Sequence, residues 1–390
     1  MSPPVISPPL AFTPGQQATP SYGKTTIIML SSNSAWNLVN FRKPVIEAMV
    51  EAGYEVVAVA PADGTEGQLE AMGARFRPIR MRGAGTSVIE DSRLLLDYIS
   101  VLRAERPALF LGFTAKPNIY GSLAARLTDV PVAATISGLG SAFLRGGLLG
   151  GLLLRLYRLA LGGARAVFFQ NPADRDLFIA RRIARPDQAR LVAGSGIDLD
   201  RFSPAPISPD PEFRFLLIAR LLRDKGIAEF VEAARIVRRL HPHARFHLLG
   251  GPGDDNPSAV PQAELARWAA ESIVEQLGVR DDVRPYIAAA HCVVLPSYRE
   301  GLPRSLLEGA AMARPLIASD VPGCRDVVDD GVSGLLCEVR SAASLAAAME
   351  RMLTMTAVER LAMGAAGRRK VAAEFDQRLV ADAYLAEIAR

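Results

Sequence analysis

The sequence predicts an α/β protein with two doubly wound domains, each built on a parallel sheet that helices cover on both faces. Short apolar runs, typical of buried strands, alternate with segments of helical periodicity, and this alternation indicates parallel sheets. The 390 residues are enough for two domains of ordinary size. A stretch rich in Pro, Ser and Asp at 194–211 interrupts the alternation near its middle and predicts an extended connector.

The composition supports a folded protein and narrows its partners. Hydrophobic residues make up 49% of the chain and the mean hydropathy is +0.16, so global disorder is excluded. The net charge of +4 is too small to indicate a nucleic-acid partner. The three cysteines form no CxxC pair, and the histidines at 241, 243 and 247 have no acidic or Cys neighbour. We therefore expect no disulfide and no metal site.

The chain divides into a tail and two domains. Residues 1–23 contain six prolines and no Lys or Arg, which predicts a disordered tail rather than a signal peptide. We assign 24–200 to the first domain and 201–372 to the second. No stretch has the length of a membrane span.

Apolar runs predict the strands of the first domain in order. They lie at 25–31, 54–60, 108–113, 130–136, 166–170 and 189–193, and helical segments such as 119–128 stand between them. Because ligands bind at the carboxyl ends of parallel strands, the polar loops that follow the strands are the candidate binding segments.

Three of these loops carry polar side chains or glycines that suit a bound acceptor. The loop 31–36 contains Asn33, although a turn with a packed Trp36 explains it equally well. The later loops contribute Lys116 and Asn118, and then Ser137 and Gly138.

The segment 145–165 is almost entirely Leu, Gly, Ala and Tyr apart from its arginines. On a helix, Arg155, Arg158 and Arg165 fall on one narrow stripe. Such a helix can lie on an anionic membrane, or it can be an inner helix with one solvated stripe. Both interpretations fit the pattern.

The second domain begins with a strand at 213–219, and a basic loop follows it. Arg220 and Lys225 in this loop lie at the carboxyl edge of the sheet, where two cations can hold a diphosphate without a metal. A solvated basic loop is the alternative. The next strand, 245–249, runs into Gly250, in a glycine-rich turn that is not a dinucleotide fingerprint.

A strand, loop, helix and strand at 291–320 form the centre of the predicted site. Pro303 is expected to open the helix, whose free N–H groups at residues 302–305 favour an anion. Glu300 lies in the loop, and Glu308 lies on the helix among apolar residues, where a carboxylate needs a partner. Hydroxyl groups are good partners, so the pattern favours a sugar nucleotide. Two solvated glutamates are the alternative.

The motif Glu300-x7-Glu308 in EGLPRSLLEG, followed by RPLIASDVPG, resembles the donor motif of the retaining glycosyltransferases of family 4. The resemblance covers nearly the whole chain beyond the first two dozen residues. It implies the GT-B fold, in which two doubly wound Rossmann-like domains face each other across a cleft. It also implies that the last helix, at about 373–390, crosses back to the first domain.

The resemblance assigns roles to residues of this sequence. Glu308 would hold the ribose hydroxyls, Glu300 the hydroxyls of the donor sugar, and Arg220 with Lys225 the diphosphate. The remaining expected donor-binding residues are Gly250, Gly301, Leu302, Pro303 and Arg304.

The loops at 114–121 and 136–141 are similar to those of a branch of the family that extends polyprenyl-diphosphate-linked sugars. Many relatives have a His in the second loop, where this chain has Ile136 and Ser137, so no catalytic His is expected. The branch implies a UDP-sugar donor, an N-acetylhexosamine, and bacterial surface-glycan assembly at the inner face of the cytoplasmic membrane. No metal cofactor is implied.

Three other functions remain compatible with the residues. A glycoside hydrolase would use Glu300 and Glu308 as its carboxylate pair and would need no nucleotide. A sugar-nucleotide epimerase would interconvert donors without an acceptor. A non-catalytic protein on the membrane would bind the sugar nucleotide and transfer nothing.

Overall fold

The structure is a computed structural model that describes residues 26–82, 87–138, 147–207, 212–253 and 256–390, with backbone alone at 147–149. The predicted tail at 1–23 lies outside the described residues. Within them, the predicted α/β class with two parallel-sheet domains is confirmed.

The first domain is built on a parallel sheet whose seven described strands run in the order β3-β2-β1-β4-β5-β6-β7. The strands are β1 Ile27–Ser31, β2 Glu55–Ala60, β3 Arg75–Pro78, β4 Leu109–Gly112, β5 Val132–Ile136, β6 Ala166–Phe169 and β7 Ala189–Leu191. The four central strands are almost completely buried because helices cover both faces. Their continuous apolar runs are the pattern that predicted them.

Helices connect these strands and form the two outer layers. They are α1 Ala35–Glu51, α2 Glu66–Ala71, α3 Val88–Glu105, α4 Ser122–Leu127, α5 Gly147–Leu161 and α6 Pro172–Ala180. One core lies under α1 and α2, and the other lies under α3 to α6. A π-helical turn, Pro117–Gly121, precedes α4 in place of the regular helix that the sequence predicts from residue 119.

The second domain has a parallel sheet with the described order β10-β9-β8-β11-β12-β13. Its strands are β8 Phe213–Ile218, β9 Ala244–Leu249, β10 Glu275–Gly278, β11 Cys292–Leu295, β12 Leu316–Ser319 and β13 Gly334–Cys337. Its helices are α7 Ile227–Leu240, α8 Gln262–Ala270, α9 Arg284–Ala289, α10 Arg304–Ala311, α11 Cys324–Val327, α12 Ala342–Thr354 and α13 Ala357–Glu374. Helices α7, α8 and α12 cover one face, and α9 to α11 with α13 cover the other.

The last helix, α14 Gln377–Ile388, packs on the first domain. Tyr384 on this helix contacts the rings of Phe113 and Phe168, and its hydroxyl lies 2.7 Å from the hydroxyl of Thr135. The helix that follows the second domain therefore packs against the sheet of the first domain. The exact division between the domains stays a prediction.

Each sheet reverses its strand order at one point, between β1 and β4 in the first domain and between β8 and β11 in the second. In open α/β sheets, a crevice forms outside the carboxyl ends of the strands at such a point, and ligands bind there. The loops that follow β4, β5, β8 and β11 all line cavities between the domains.

Candidate active site

Two cavities open between the domains and meet at one place. The smaller has a volume of about 430 Å³ and the larger about 580 Å³. Four residues line both of them: Ser137, Arg220, Lys225 and Glu300. The two predicted cations and one predicted carboxylate thus stand where the cavities join.

Arg220 and Lys225 lie in the segment that follows the end of β8. A 3₁₀ turn, Arg223–Lys225, ends at Gly226, which has a positive φ of 71°. A Cβ at Gly226 would lie 2.1 Å from the carbonyl oxygen of Pro296, so only glycine lets the turn approach the loop after β11. The described residues provide no hydrogen-bonding partner for the guanidinium of Arg220, which is exposed in the cleft.

Lys225 and Glu300 form an ion pair across the junction. Lys225 Nζ lies 2.5 Å from Glu300 Oε1, and the two side chains are only 24% and 11% exposed. Each group holds the other in place while leaving further donors and acceptors for a ligand. The ammonium can therefore face a phosphate while the carboxylate accepts hydrogen bonds from a neighbouring sugar.

Glu308 lies on α10 with the apolar neighbours that the sequence predicts. Leu306, Leu307, Ala310 and Ala311 are all buried, and Glu308 itself is 8% exposed. Burial raises the pKa of Glu308, whereas the charge and hydrogen bond of Arg304, at 2.9 Å from Oε1, act in the opposite direction. The carboxylate lines the larger cavity, so it is available to ligand hydroxyls there.

The N-terminus of α10 also faces the larger cavity, although the role predicted for Pro303 is wrong in one respect. Pro303 is the residue before the first helical position, with φ −76° and ψ 113°, and Arg304 opens the helix. No side chain caps this end. Leu302, Arg304 and Ser305 line the cavity, and first-turn amides have no partner inside a helix. Pro303 lines it as well but has no N–H to offer.

Gly250 closes the far wall of the larger cavity. It has a φ of 155°, and a Cβ there would lie 1.8 Å from the carbonyl oxygen of Ala219. Its neighbours along this wall include Val283, in the segment 282–290 that the sequence predicts as a short helix beside the base, and Val279 and Arg280, which the sequence analysis missed. Their mixture of apolar and cationic groups suits a flat heterocycle beside a ribose.

Three of the five residues predicted for the acceptor line the smaller cavity. Asn118 donates from Nδ2 to the carbonyl oxygen of Thr135 at 2.8 Å, while no described residue hydrogen-bonds to its Oδ1. Ser137 donates to the carbonyl oxygen of Phe113 at 2.9 Å. Gly138 has a φ of 128° and stands next to Gly301. The rest of its loop, residues 139–141, lies outside the described residues.

The other two acceptor candidates are not part of either described lining. Lys116 forms an ion pair with Asp91 on α3 at 2.9 Å, and Asp91 also accepts a hydrogen bond from Tyr120. Asn33 accepts a hydrogen bond from Ser32 at 3.3 Å. The side chain of Lys116 thus binds within its own domain, because a carboxylate on the neighbouring helix offers it a closer charge.

Contacts between the domains, which the sequence analysis missed, hold the loop at 299–301. Arg299 pairs with Asp174, and Asn171 donates to the carbonyl oxygen of Gly301 at 2.8 Å. The pattern Asn-Pro-x-Asp at 171–174, directly after β6, signals a capped helix start but gives no hint of a partner. A third contact joins Arg304 to the carbonyl oxygen of Asn40 on α1.

The segment 145–165 is only partly the helix that its arginines predicted. Helix α5 ends at Leu161, so Arg165 lies beyond it and pairs with Glu387 of α14 at 3.0 Å. Arg158 donates to the backbone carbonyl oxygens of Arg181 and Arg182. Residues 145 and 146 lie outside the described residues.

Two features are absent from the described residues. No group of three or more His, Cys, Asp or Glu side chains is arranged to hold a metal ion in the part of the chain that the structure describes. Among the described helices, none has both the length and the apolar character needed to cross a membrane.

Comparison with protein families gives one match for each domain. Residues 43–194 match the model described as a glycosyl transferase 4-like domain. Residues 212–355 match the model described as glycosyl transferases group 1.

Two curated relatives illustrate the sequence similarity. The chain is 26% identical to N,N'-diacetylbacillosaminyl-diphospho-undecaprenol alpha-1,3-N-acetylgalactosaminyltransferase of Campylobacter jejuni, over 91% of this chain and 96% of that protein. It is 25% identical to UDP-Gal:alpha-D-GlcNAc-diphosphoundecaprenol alpha-1,3-galactosyltransferase of Escherichia coli, over 68% and 71%.

Solved structures share the whole architecture. HepE of Anabaena, in complex with UDP and glucose, superimposes with a TM-score of 0.77 at 18% identity, covering 93% of this chain and 99% of that one. Sucrose-phosphate synthase of Thermosynechococcus elongatus gives the same TM-score at 20% identity, covering 93% and 98%. The predicted GT-B fold and the predicted family resemblance are confirmed.

Proposed function

The chain belongs to the glycosyltransferases of the GT-B fold, and on that premise we propose that it transfers a sugar from a UDP-sugar to a polyprenyl-diphosphate-linked saccharide. The transferred sugar is an N-acetylhexosamine, and its anomeric configuration is retained. The family membership favours this enzyme over the hydrolase, the epimerase and the non-catalytic binding protein that the residues alone left open.

The donor lies in the larger cavity and extends to the junction of the two. Glu308 accepts hydrogen bonds from the ribose hydroxyls, and Lys225 with Arg220 holds the diphosphate. Glu300, fixed by Lys225 at 2.5 Å, accepts hydrogen bonds from the sugar. The single observation that carries the proposal is the meeting of Arg220, Lys225 and Glu300 where both cavities open.

Transfer needs stabilisation of the leaving diphosphate more than it needs a protein nucleophile. The bond from the anomeric carbon to the diphosphate oxygen breaks while the acceptor oxygen forms its bond on the same face of the sugar. The acceptor proton passes to the departing phosphate oxygen. Negative charge grows on that phosphate, and Arg220, which no described side chain neutralises, is free to stabilise it together with Lys225 and the amides of α10. We expect no metal in this step.

The acceptor occupies the smaller cavity, beside Asn118, Ser137 and Gly138. Support for its chemistry comes from the names of the two relatives, each of which acts on a sugar linked to diphosphoundecaprenol. An acceptor of this kind is anchored in a membrane, so in this proposal the enzyme meets it at the inner face of the cytoplasmic membrane during bacterial surface-glycan assembly.

Helix α5 supplies the membrane contact in this proposal. Leu152 and Leu159 are 53% and 56% exposed, with exposed Arg155 between them, while Tyr157 and Leu161 on the other face are buried. An exposed strip of Leu and Arg suits an anionic lipid surface. Changing Leu152 and Leu159 to Ser should lower pelleting with anionic vesicles; unchanged pelleting would remove α5 from the contact.

A transfer assay tests the proposal directly. The purified protein is incubated with UDP- or GDP-linked sugars and with polyprenyl-diphosphate- or polyprenyl-monophosphate-linked saccharides, in the presence and absence of a chelator. We expect an α-linked product from a UDP-N-acetylhexosamine and the diphosphate acceptor, with the chelator present. Release of sugar to water alone, or interconversion of donors without acceptor, would overturn the proposal.

A further inference from the structure

The first domain grips the loop that carries Glu300, although Glu300 belongs to the second domain. Asp174 pairs with Arg299, and Asn171 donates to the carbonyl oxygen of Gly301 at 2.8 Å, so the residues on both sides of Glu300 are held. We propose that Asp174 and Asn171 are positioning residues that orient Glu300 toward the donor sugar when the domains close. The inference rests on the proposed function, which gives Glu300 its role.

Asn171 and Asp174, the two residues of the first domain that hold the loop, are bonded to each other at the start of α6. Asn171 caps α6, accepting from the backbone N–H of Asp174 at 2.8 Å and donating from Nδ2 to Asp174 Oδ2 at 3.1 Å. Both residues are buried, with exposures of 1% and 0%. A carboxylate in the first turn of a helix is stabilised by the helix dipole, so this site stays formed when the domains separate.

At Gly301, the backbone of the loop comes very close to the first domain. A Cβ at Gly301 would lie 2.4 Å from the carbonyl oxygen of Ser137 and 2.8 Å from Gln170 Oε1, both in the first domain. Because no larger residue fits there, the contact is specific to this loop.

The contact of Arg299 with the first domain affects Glu300 because the two residues are neighbours in the backbone. Arg299 extends to the first domain, whereas its neighbour Glu300 turns to Lys225 of the second domain. Without Asp174, Arg299 would be a largely buried cation without its partner, which favours movement of the loop. A displacement of about 1 Å at a substrate contact is enough to cost about 10²-fold in rate.

Asp174→Asn tests the proposal, with Asp176→Asn as its matched control. Asp176 lies on the same helix in an exposed ion pair with Arg175. We expect Asp174→Asn to lower kcat about 10²-fold while the Kd for UDP, measured by calorimetry, stays within about twofold. Asp176→Asn should match the parent in both.

Arg299→Gln tests the same contact from the other domain and covers the case in which Asp174→Asn folds poorly. It should give a similar loss, and the double variant should lose little more than either single one, because both remove one interaction. Full kcat in either single variant, or additive losses in the double variant, would overturn the proposal.

Small-angle X-ray scattering of the unliganded chain separates this inference from the proposed function. We expect Asp174→Asn to increase the radius of gyration and Asp176→Asn to leave it unchanged. If the parent transfers no sugar, the proposed function fails, and the scattering still tests the grip. Identical scattering from the parent and Asp174→Asn would then overturn it.

Discussion

The donor and acceptor sides of the cleft differ in how their polar residues are held. On the donor side, Lys225 pairs with Glu300 and Arg304 pairs with Glu308, all within one cavity. On the acceptor side, Asn118 and Ser137 each use one bond to the backbone of their own domain. The polar residues of the donor side are therefore paired with opposite charges, whereas those of the acceptor side are bonded to backbone.

The difference has a physical origin. A nucleotide diphosphate is held by charges and a helix N-terminus at fixed positions. The spacing of charged residues around a helix start can therefore be recognised in the sequence. A saccharide is recognised by hydrogen bonds that many polar residues can supply. Such residues are also used to satisfy the protein backbone, so their presence in a loop says little about a ligand.

The largest expected loss of activity follows the removal of either cation that we assign to the diphosphate on the donor side. Arg220→Ala or Lys225→Ala should lower kcat about 10³-fold, because negative charge on the leaving group is then uncompensated. Steady-state transfer rates measure the loss, and circular dichroism checks the fold.

Arg223→Ala is the control for both variants. Arg223 lies on the same turn but pairs with Glu264 at 2.6 Å, outside the described cavity linings. It should retain activity within about twofold. Full activity in both Arg220→Ala and Lys225→Ala would contradict the diphosphate assignment.

A smaller effect is expected at the ribose. Glu308→Gln should weaken UDP binding about 30-fold, because an amide replaces a charged acceptor of hydrogen bonds. Titration calorimetry gives the affinity, and Glu338→Gln, outside the described cavity linings, is a control that should change nothing. An unchanged Kd in Glu308→Gln would remove the ribose contact.

The pH dependence of UDP binding is a second test of the contact between Glu308 and the ribose. Burial raises the pKa of Glu308, so the carboxylate takes up its proton at a higher pH than an ordinary glutamate. UDP affinity should therefore fall as the pH is lowered, and the fall should start at a higher pH than the usual Glu range. Glu308→Gln should lack this component, and an identical pH profile in the two proteins would contradict it.

On the acceptor side, we expect a change in KM for one substrate only. Asn118→Ala removes a buried amide that bonds to the carbonyl oxygen of Thr135 behind the wall of the smaller cavity, and it should raise KM for the acceptor about 10-fold. KM for the donor should stay within about twofold. A rise in KM for the donor alone would contradict the assignment of Asn118 to the acceptor side.

The smallest effect on activity is expected at Lys116. Lys116→Met removes the partner of Asp91, which is 7% exposed, so it should lower the free energy of unfolding by about 2 kcal/mol. Transfer activity should stay within about twofold. Chemical denaturation measures the first quantity; a large loss of activity at unchanged stability would return Lys116 to the acceptor site.

The sheets were predictable because buried parallel strands need continuous apolar runs, as at 292–295. The buried setting of Glu308 was predictable because its neighbours on the helix are Leu and Ala. The pairing of Arg299 with Asp174 was not, because it joins residues 125 positions apart through the docking of two domains. The ion pair of Lys116 with Asp91 was not predictable for a similar reason, since Asp91 lies on a different helix and no local periodicity links them.

A crystal structure of the protein with UDP bound is the most direct test of the central claim. We predict the diphosphate within hydrogen-bonding distance of Arg220 and Lys225, and the ribose hydroxyls on Glu308. UDP bound away from both the 220–225 turn and helix α10 would contradict it.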